Sequence, residues 1–126
     1  MYTADGKTNG PAFSWPDGKR IAVMVTFDYD AEFLRMSRAK SKGTSIGFTD
    51  FSRGQYGPHE GLARCLDMLD TMNIKSTFFV PGAVIETYRD TVEEIHRRGH
   101  ELACHGYQHE SSPELTREEM EEILDK

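Results

Sequence analysis

Hydrophobic residues fall in three short continuous runs separated by amphipathic stretches, and this alternation predicts the elements of the chain. The first run, Ile21-Ala22-Val23-Met24-Val25-Thr26-Phe27, is unbroken and rich in β-branched residues, as a strand buried on both faces requires. The second covers residues 74–80 and is ended by Pro81-Gly82. The third, residues 101–104, follows Gly99, which suits a helix stop because glycine takes positive φ. It is too short for a helix and mostly apolar, so it reads as another strand covered on both faces. Between the runs, Leu62, Cys65, Leu66 and Leu69 recur at i, i+3, i+4 and i+7, which predicts a helix over 59–73. Residues 83–98 read as helix in two pieces, with Val92 and Ile95 toward the core and Asp90-x-x-Glu93 as a capping box at the restart. Thr116-x-x-Glu119 is a second capping box, opening a helix whose apolar side is Leu115, Met120, Ile123 and Leu124. The order β-α-β-α-β-α predicts an α/β fold with a parallel sheet.

The remaining stretches lack a period. Residues 1–20 are polar and rich in Gly and Pro, an N-terminal arm in which Trp15 is placed to plug one end of the core. Residues 33–58 read as one long loop after an acidic strand end, a lid over a site. Arg53 and Tyr56 lie in it between glycines, either to bind substrate or to pack the loop. Its basic cluster, Arg35, Arg38, Lys40 and Lys42, reads as a solvated loop. Residues 110–114 read as a polar turn.

Composition narrows the classes. A chain of 126 residues, 37% hydrophobic and 29% charged, suits one domain with a core. A net charge of −6 argues against nucleic acid as a partner, because phosphate contacts need clustered Lys and Arg. Cys65 and Cys104 are too few for a disulfide framework and read as small core residues. There is no apolar leader and no run long enough for a membrane helix, so the expectation is a cytoplasmic protein without a membrane partner.

The chemistry gathers at strand ends. Strands alternating with helices present functional groups where they meet the following loops. Asp28 and Asp30 leave the first strand two positions apart, and such residues share a face. His105 and His109 leave the third. One Asp and two His, with positions open for water, suit a catalytic metal site. The alternative is that these residues are caps and turns, with Asp30 as an N-cap. Tyr107, between the histidines, joins Arg53 and Tyr56 as a candidate substrate contact.

Taken together, Thr26-Phe27-Asp28-Tyr29-Asp30, Ser76-Thr77-Phe78-Phe79-Val80 and Gly99-His100-Glu101 through His105-Gly106-Tyr107-Gln108-His109 resemble the polysaccharide deacetylases, carbohydrate esterase family 4 or NodB-like domains. The similarity runs from about Trp15 to Lys126. The Asp-x-Asp-Ala-Glu form and Ser52-Arg53-Gly54 resemble a branch with peptidoglycan deacetylase-like and allantoinase-like members. The resemblance implies a distorted (β/α)7 barrel, with residues 21–126 as the N-terminal half of the catalytic domain. It implies a divalent metal, usually zinc, on Asp30, His105 and His109; Co, Ni or Fe accept the same donors. It makes Asp28 the general base toward the attacking water. The implied activity is hydrolysis of an amide C–N bond in an N-acetylated sugar or polysaccharide, peptidoglycan- or chitin-like. A small cyclic amide is the alternative substrate, and a non-catalytic half-domain that binds metal or ligand is the other alternative. Three departures stand out. Tyr29 separates two aspartates that the family's common first motif has adjacent. Gly106 replaces a Ser or Thr that would brace the loop. The second half, which carries the general acid, is not in these residues, so that half or a second copy is expected over the open sheet edge.

Overall fold

Residues 15–110 and 115–126 are described in a computed structural model. The first fourteen residues of the expected arm, and residues 111–114 of the expected turn, lie outside them. Three parallel strands, β1 (Thr26–Asp28), β2 (Thr77–Val80) and β3 (Glu101–Cys104), pair in the order β1-β2-β3. Helices α1 (Phe33–Ser41), α2 (Phe48–Tyr56) and α3 (Leu62–Met72) connect β1 to β2. Helices α4 (Gly82–Thr87) and α5 (Arg89–Arg97) connect β2 to β3, and α6 (Arg117–Leu124) follows.

The core lies between the sheet and one helix layer. Side chains alternate along β2, so Phe78 and Val80 are buried while Thr77 and Phe79 are only half-buried. Leu62, Leu66 and Leu69 of α3 and Val92 and Ile95 of α5 pack on the buried side. Phe27 stacks on Phe78 with ring centroids 5.1 Å apart. Truncating a core leucine such as Leu66 to Ala costs about 2–5 kcal/mol by lost transfer energy plus the cavity left behind. As expected, Gly99 takes φ 76° after α5. Thr116 caps α6, accepting from Glu119 N while the Glu119 carboxylate accepts from Thr116 N.

The structure corrects several expectations. Residues 33–58 are not one loop but helices α1 and α2, the second passing through a π-helical turn, Gly57–Gly61, into α3. Neither helix buries an apolar stripe; Gly54 is the one buried residue in the pair. The basic cluster therefore sits on and just after a helix. β1 is shorter than the apolar run, because pairing with β2 begins only at Thr26↔Thr77. Ile21, Val23 and Met24 precede it at 74%, 78% and 85% exposure. Nor is β3 covered on both faces: Glu101, Leu102 and Cys104 are exposed, and β3 is an edge strand among the described residues. Cys104 is accordingly not a core residue, and Cys65 is half-buried. The break between α4 and α5 falls at Tyr88, so Asp90 lies inside the first turn of α5 and its capping box does not form. Trp15 is 39% exposed and plugs nothing fully.

Candidate metal centre

The two loops that carry the acids and the histidines are each fixed by a small set of bonds. Tyr29, between the aspartates, points into the core and is 6% exposed. Its hydroxyl is 2.8 Å from Thr91 Oγ1, and its N–H donates to Phe79 O at 2.9 Å. Burial pushes its phenol up to about 12, so it serves as a neutral anchor. With Tyr29 turned inward, strand alternation leaves Asp28 and Asp30 on the other side. Ala31 then reverses the chain at φ 49°.

The histidine loop is braced by backbone and carboxylate. Gly82 N donates to Gly106 O at 3.0 Å and Ala83 N to Tyr107 O at 2.9 Å, so the start of α4 holds the loop from below. The Glu110 carboxylate accepts from Tyr107 N at 3.0 Å and Gln108 N at 2.8 Å. Ser37 Oγ of α1 donates to His109 O at 2.7 Å. Glycine is favoured at 106 on two counts: its φ is 72°, and a Cβ would lie 2.9 Å from Glu110 Oε2, displacing that carboxylate. Glu110 and Ser37 thus brace a loop that lacks the hydroxyl expected at position 106.

These loops bring Asp30, His105 and His109 together. His105 Nε2 lies 3.5 Å from Asp30 Oδ1, and His109 Nε2 lies 3.8 Å from Asp30 Oδ2. One donor atom from each of the three lies within 4.8 Å of the others. The two imidazole rings stand at 89° with centroids 4.7 Å apart. The separations exceed those of charge-assisted hydrogen bonds, about 2.7–2.9 Å. They suit donors that share a cation, since atoms about 2.0–2.1 Å from one zinc sit roughly 3.3 Å apart in a tetrahedron. Asp30 Oδ1 and His105 Nε2 are buried without a hydrogen-bond partner among the described residues. Burial raises the Asp30 carboxyl above its ordinary range; His109 and His105 oppose this, Asp28 adds to it, and Arg38 opposes it weakly. Partnerless buried donors and a desolvated carboxylate are costly unless something fills the gap between them. A divalent metal fits that donor set.

The other sequence candidates have different surroundings. Asp28 is exposed at the end of β1, close enough for its charge to be felt at Asp30. Arg53 lies on α2, 3.8 Å from Asp50. Tyr56 is 54% exposed, its ring against Gly61. Tyr107 donates its hydroxyl to Glu86 Oε2 at 2.9 Å and lays its ring on Gly82, where a Cβ would be 2.6 Å away.

Sequence reasoning did not single out Glu32. It is 5% exposed, two residues beyond Asp30, and its carboxylate oxygens accept the Tyr88 hydroxyl at 2.9 and 3.0 Å. Helix α2 rests directly on it: a Cβ on Gly54 would be 2.4 Å from Glu32 Cα. Burial, then the bond to Glu32, raises the Tyr88 phenol, while Gln55 bonds the same side chain. The acid loop is therefore tied to α2 and to the α4–α5 junction through one buried carboxylate. The only sequence trace of this is a glutamate ending an acidic run just before an apolar residue.

Comparison with known proteins agrees with the geometry. The polysaccharide deacetylase family profile matches residues 16–126. The chain is 33% identical over 110 residues to a peptidoglycan deacetylase-like protein, FGM2, of Gibberella zeae, covering 86% of this chain and 32% of that protein. It is 35% identical over 106 residues to the peptidoglycan deacetylase of Helicobacter pylori, covering 84% and 35%. Among solved structures, a Mycobacterium smegmatis protein assigned as a polysaccharide deacetylase superposes with a TM-score of 0.80 at 38% identity, covering 94% of this chain and 41% of that one. PuuE allantoinase shares the fold, with a TM-score of 0.79 at 20% identity, covering 93% and 44%. The chain thus spans about a third of the length of these curated relatives, and its alternating strands and helices form part of a (β/α) barrel. With its strand order, its motifs and nearly all of its described length accounted for, the chain belongs to the polysaccharide deacetylase family.

Proposed function

We propose that the chain carries the metal-binding part of a hydrolase that removes acetyl groups from N-acetylated sugars in a polysaccharide. The observation that supports this most is the Asp30–His105–His109 set, with two partnerless buried donor atoms facing one gap beside the exposed carboxylate of Asp28. Asp30, His105 and His109 would hold a divalent metal, zinc being the usual one in the family, and that metal would supply Lewis-acid polarisation of the acetamide carbonyl. Asp28 has a carboxylate outside the trio, able to receive a proton from the water that attacks the carbonyl carbon. Two acids can then divide the work: one stays ionised as a ligand while the other changes protonation during the reaction. Tyr29 keeps the two apart by anchoring the strand end between them.

The test is acetate release from N-acetylglucosamine oligomers by the intact protein, with chelation and zinc add-back, alongside Asp28→Asn. Acetate should appear only with metal, and the variant should lose about 10²–10⁴-fold in kcat while keeping its zinc. Zinc uptake without acetate from any N-acetylated oligomer would overturn the deacetylase reading.

A further inference from the structure

We propose that the α1 side of the metal centre is an anion-recognising subsite, so that the glycan deacetylated there carries a carboxylate or phosphate near its acetamide. This rests on the deacetylase reading and names the substrate class within it. Helix α1 carries Arg35, Arg38 and Lys40 and no acid, and Lys42 follows at its C-cap. Arg35, Arg38 and Lys42 are spaced i, i+3 and i+7, which puts them on one helix face. The hydrogen bond from Ser37 Oγ to His109 O seats α1 directly against the ligand loop. Arg38 and Lys42 line one hollow together with His109 and Glu110. They also line a second of about 250 Å³ with Arg35, Thr44, Ser45 and Asp50, the last of which is paired with Arg35. Arg35 has an acid to hand, Asp50 at 3.2 Å, whereas Arg38 and Lys42 form no ion pair among the described residues. Glu110, the one acid in the first hollow, has both carboxylate oxygens turned to backbone N–H groups.

A neutral N-acetylated glycan gives such an arrangement nothing to recognise. In a chain of net charge −6, two cations that form no ion pair among the described residues, one of them near enough for its charge to be felt at Asp30, act as a local trap for negative charge. A planar guanidinium matches carboxylate and phosphate oxygens two at a time, which favours Arg38 as the reading group and Lys42 as a point charge beside it.

The experiment compares binding of three oligosaccharides to the zinc-loaded intact protein by calorimetry: N-acetylglucosamine oligomers, the same length with a carboxylate-bearing N-acetylated sugar, and the same length with a phosphate-bearing one. At least one anionic oligomer should bind about tenfold more tightly than the neutral one, with the difference shrinking as salt rises, and which anion is preferred identifies its source. Arg38→Gln with Lys42→Gln should abolish the preference, and Arg64→Gln, a cation beside Glu60 on α3, should leave it intact. Equal affinity for all three oligomers, or a preference that survives the double variant, overturns the subsite. Acetate release, read on the same oligomers, decides the deacetylase reading separately. Hydrolysis without anion preference sinks only the subsite; anion preference without acetate sinks only the chemistry.

Discussion

At the scale of single residues, the candidate metal centre depends on groups outside the trio. Glu32 is buried and holds the Tyr88 hydroxyl two residues from Asp30. Replacing it with Ala would leave the half-buried Tyr88 hydroxyl without its carboxylate acceptor and would release the acid loop. Groups that orient metal ligands typically change affinity about 10–100-fold when lost. Zinc titration should therefore show Glu32→Ala weakened by that factor, with Glu32→Gln, which keeps an acceptor for Tyr88, close to the parent. Equal loss in both variants would mean that the shape and hydrogen bond are not what matters. Gly106→Ala tests the other loop. It forces a Cβ onto a backbone at φ 72° and into the Glu110 carboxylate at 2.9 Å. The left-handed conformation alone costs about 1–2 kcal/mol, and the collision pushes on the brace of Tyr107 and Gln108. Thermal unfolding should drop and zinc affinity should fall with it; an unchanged affinity would show that the brace does not set ligand position.

At the scale of elements, what could be read from the sequence followed from what each element buries. Helix α3 was legible because Leu62, Leu66 and Leu69 face the core at helical spacing. Helices α1 and α2 were not, because they bury no stripe and rest on the domain through Phe33, Ser37 and Gly54 instead. The trio was legible because acids and histidines stand out at the ends of apolar strands. Its supports were not, because the Glu110 brace acts on backbone N–H groups and the Glu32 clamp joins residues 56 positions apart. The α3–α5 contact is another case. Arg98 reaches Glu94 at 2.7 Å, Asp67 at 2.8 Å and Asp70 at 2.9 Å, while Lys75 Nζ donates to Arg98 O at 2.7 Å. Arg97 and then Arg98 pull the Glu94 carboxyl from 4.5 to about 2. A carboxyl lowered on folding adds stability that is complete above its unfolded value and is lost as pH falls through the folded one. Denaturant midpoints for the parent should therefore exceed those for Glu94→Gln by a constant amount above pH 4.5, with the gap closing between 4.5 and about 2. A gap that does not change over that range would mean that the network contributes nothing through charge, as exposed pairs often do not.

At the scale of the whole molecule, the sheet ends in two edges among the described residues, and its apolar side is only partly covered. Ile21, Val23 and Met24 lead into β1 at 74–85% exposure, Leu102 on β3 is 39% exposed and Leu124 on α6 is 74% exposed. Exposed apolar residues beside strand edges with unused hydrogen-bonding groups are a standing template for association. The relatives of this chain are about three times as long as the part it matches. We infer that the cover is either the further barrel strands found in such relatives or the same face of a second copy. The 126-residue chain studied alone should then associate as its concentration rises, with sedimentation equilibrium giving a weight-average mass above 14.3 kDa. Val23→Lys with Met24→Lys should reverse this, because charge on an edge blocks pairing without touching the core built from Leu66, Phe78 and Ile95. Asp30, His105 and His109 follow the ends of β1 and β3, so the lysine variant should take up as much zinc as the parent if three strands suffice to hold the trio. A monomer at every concentration in the parent would remove the reason to invoke a cover. Loss of metal in a monomeric, folded lysine variant would show instead that the cover is needed to hold the two outer strands in register, and that the metal centre belongs to the complete barrel.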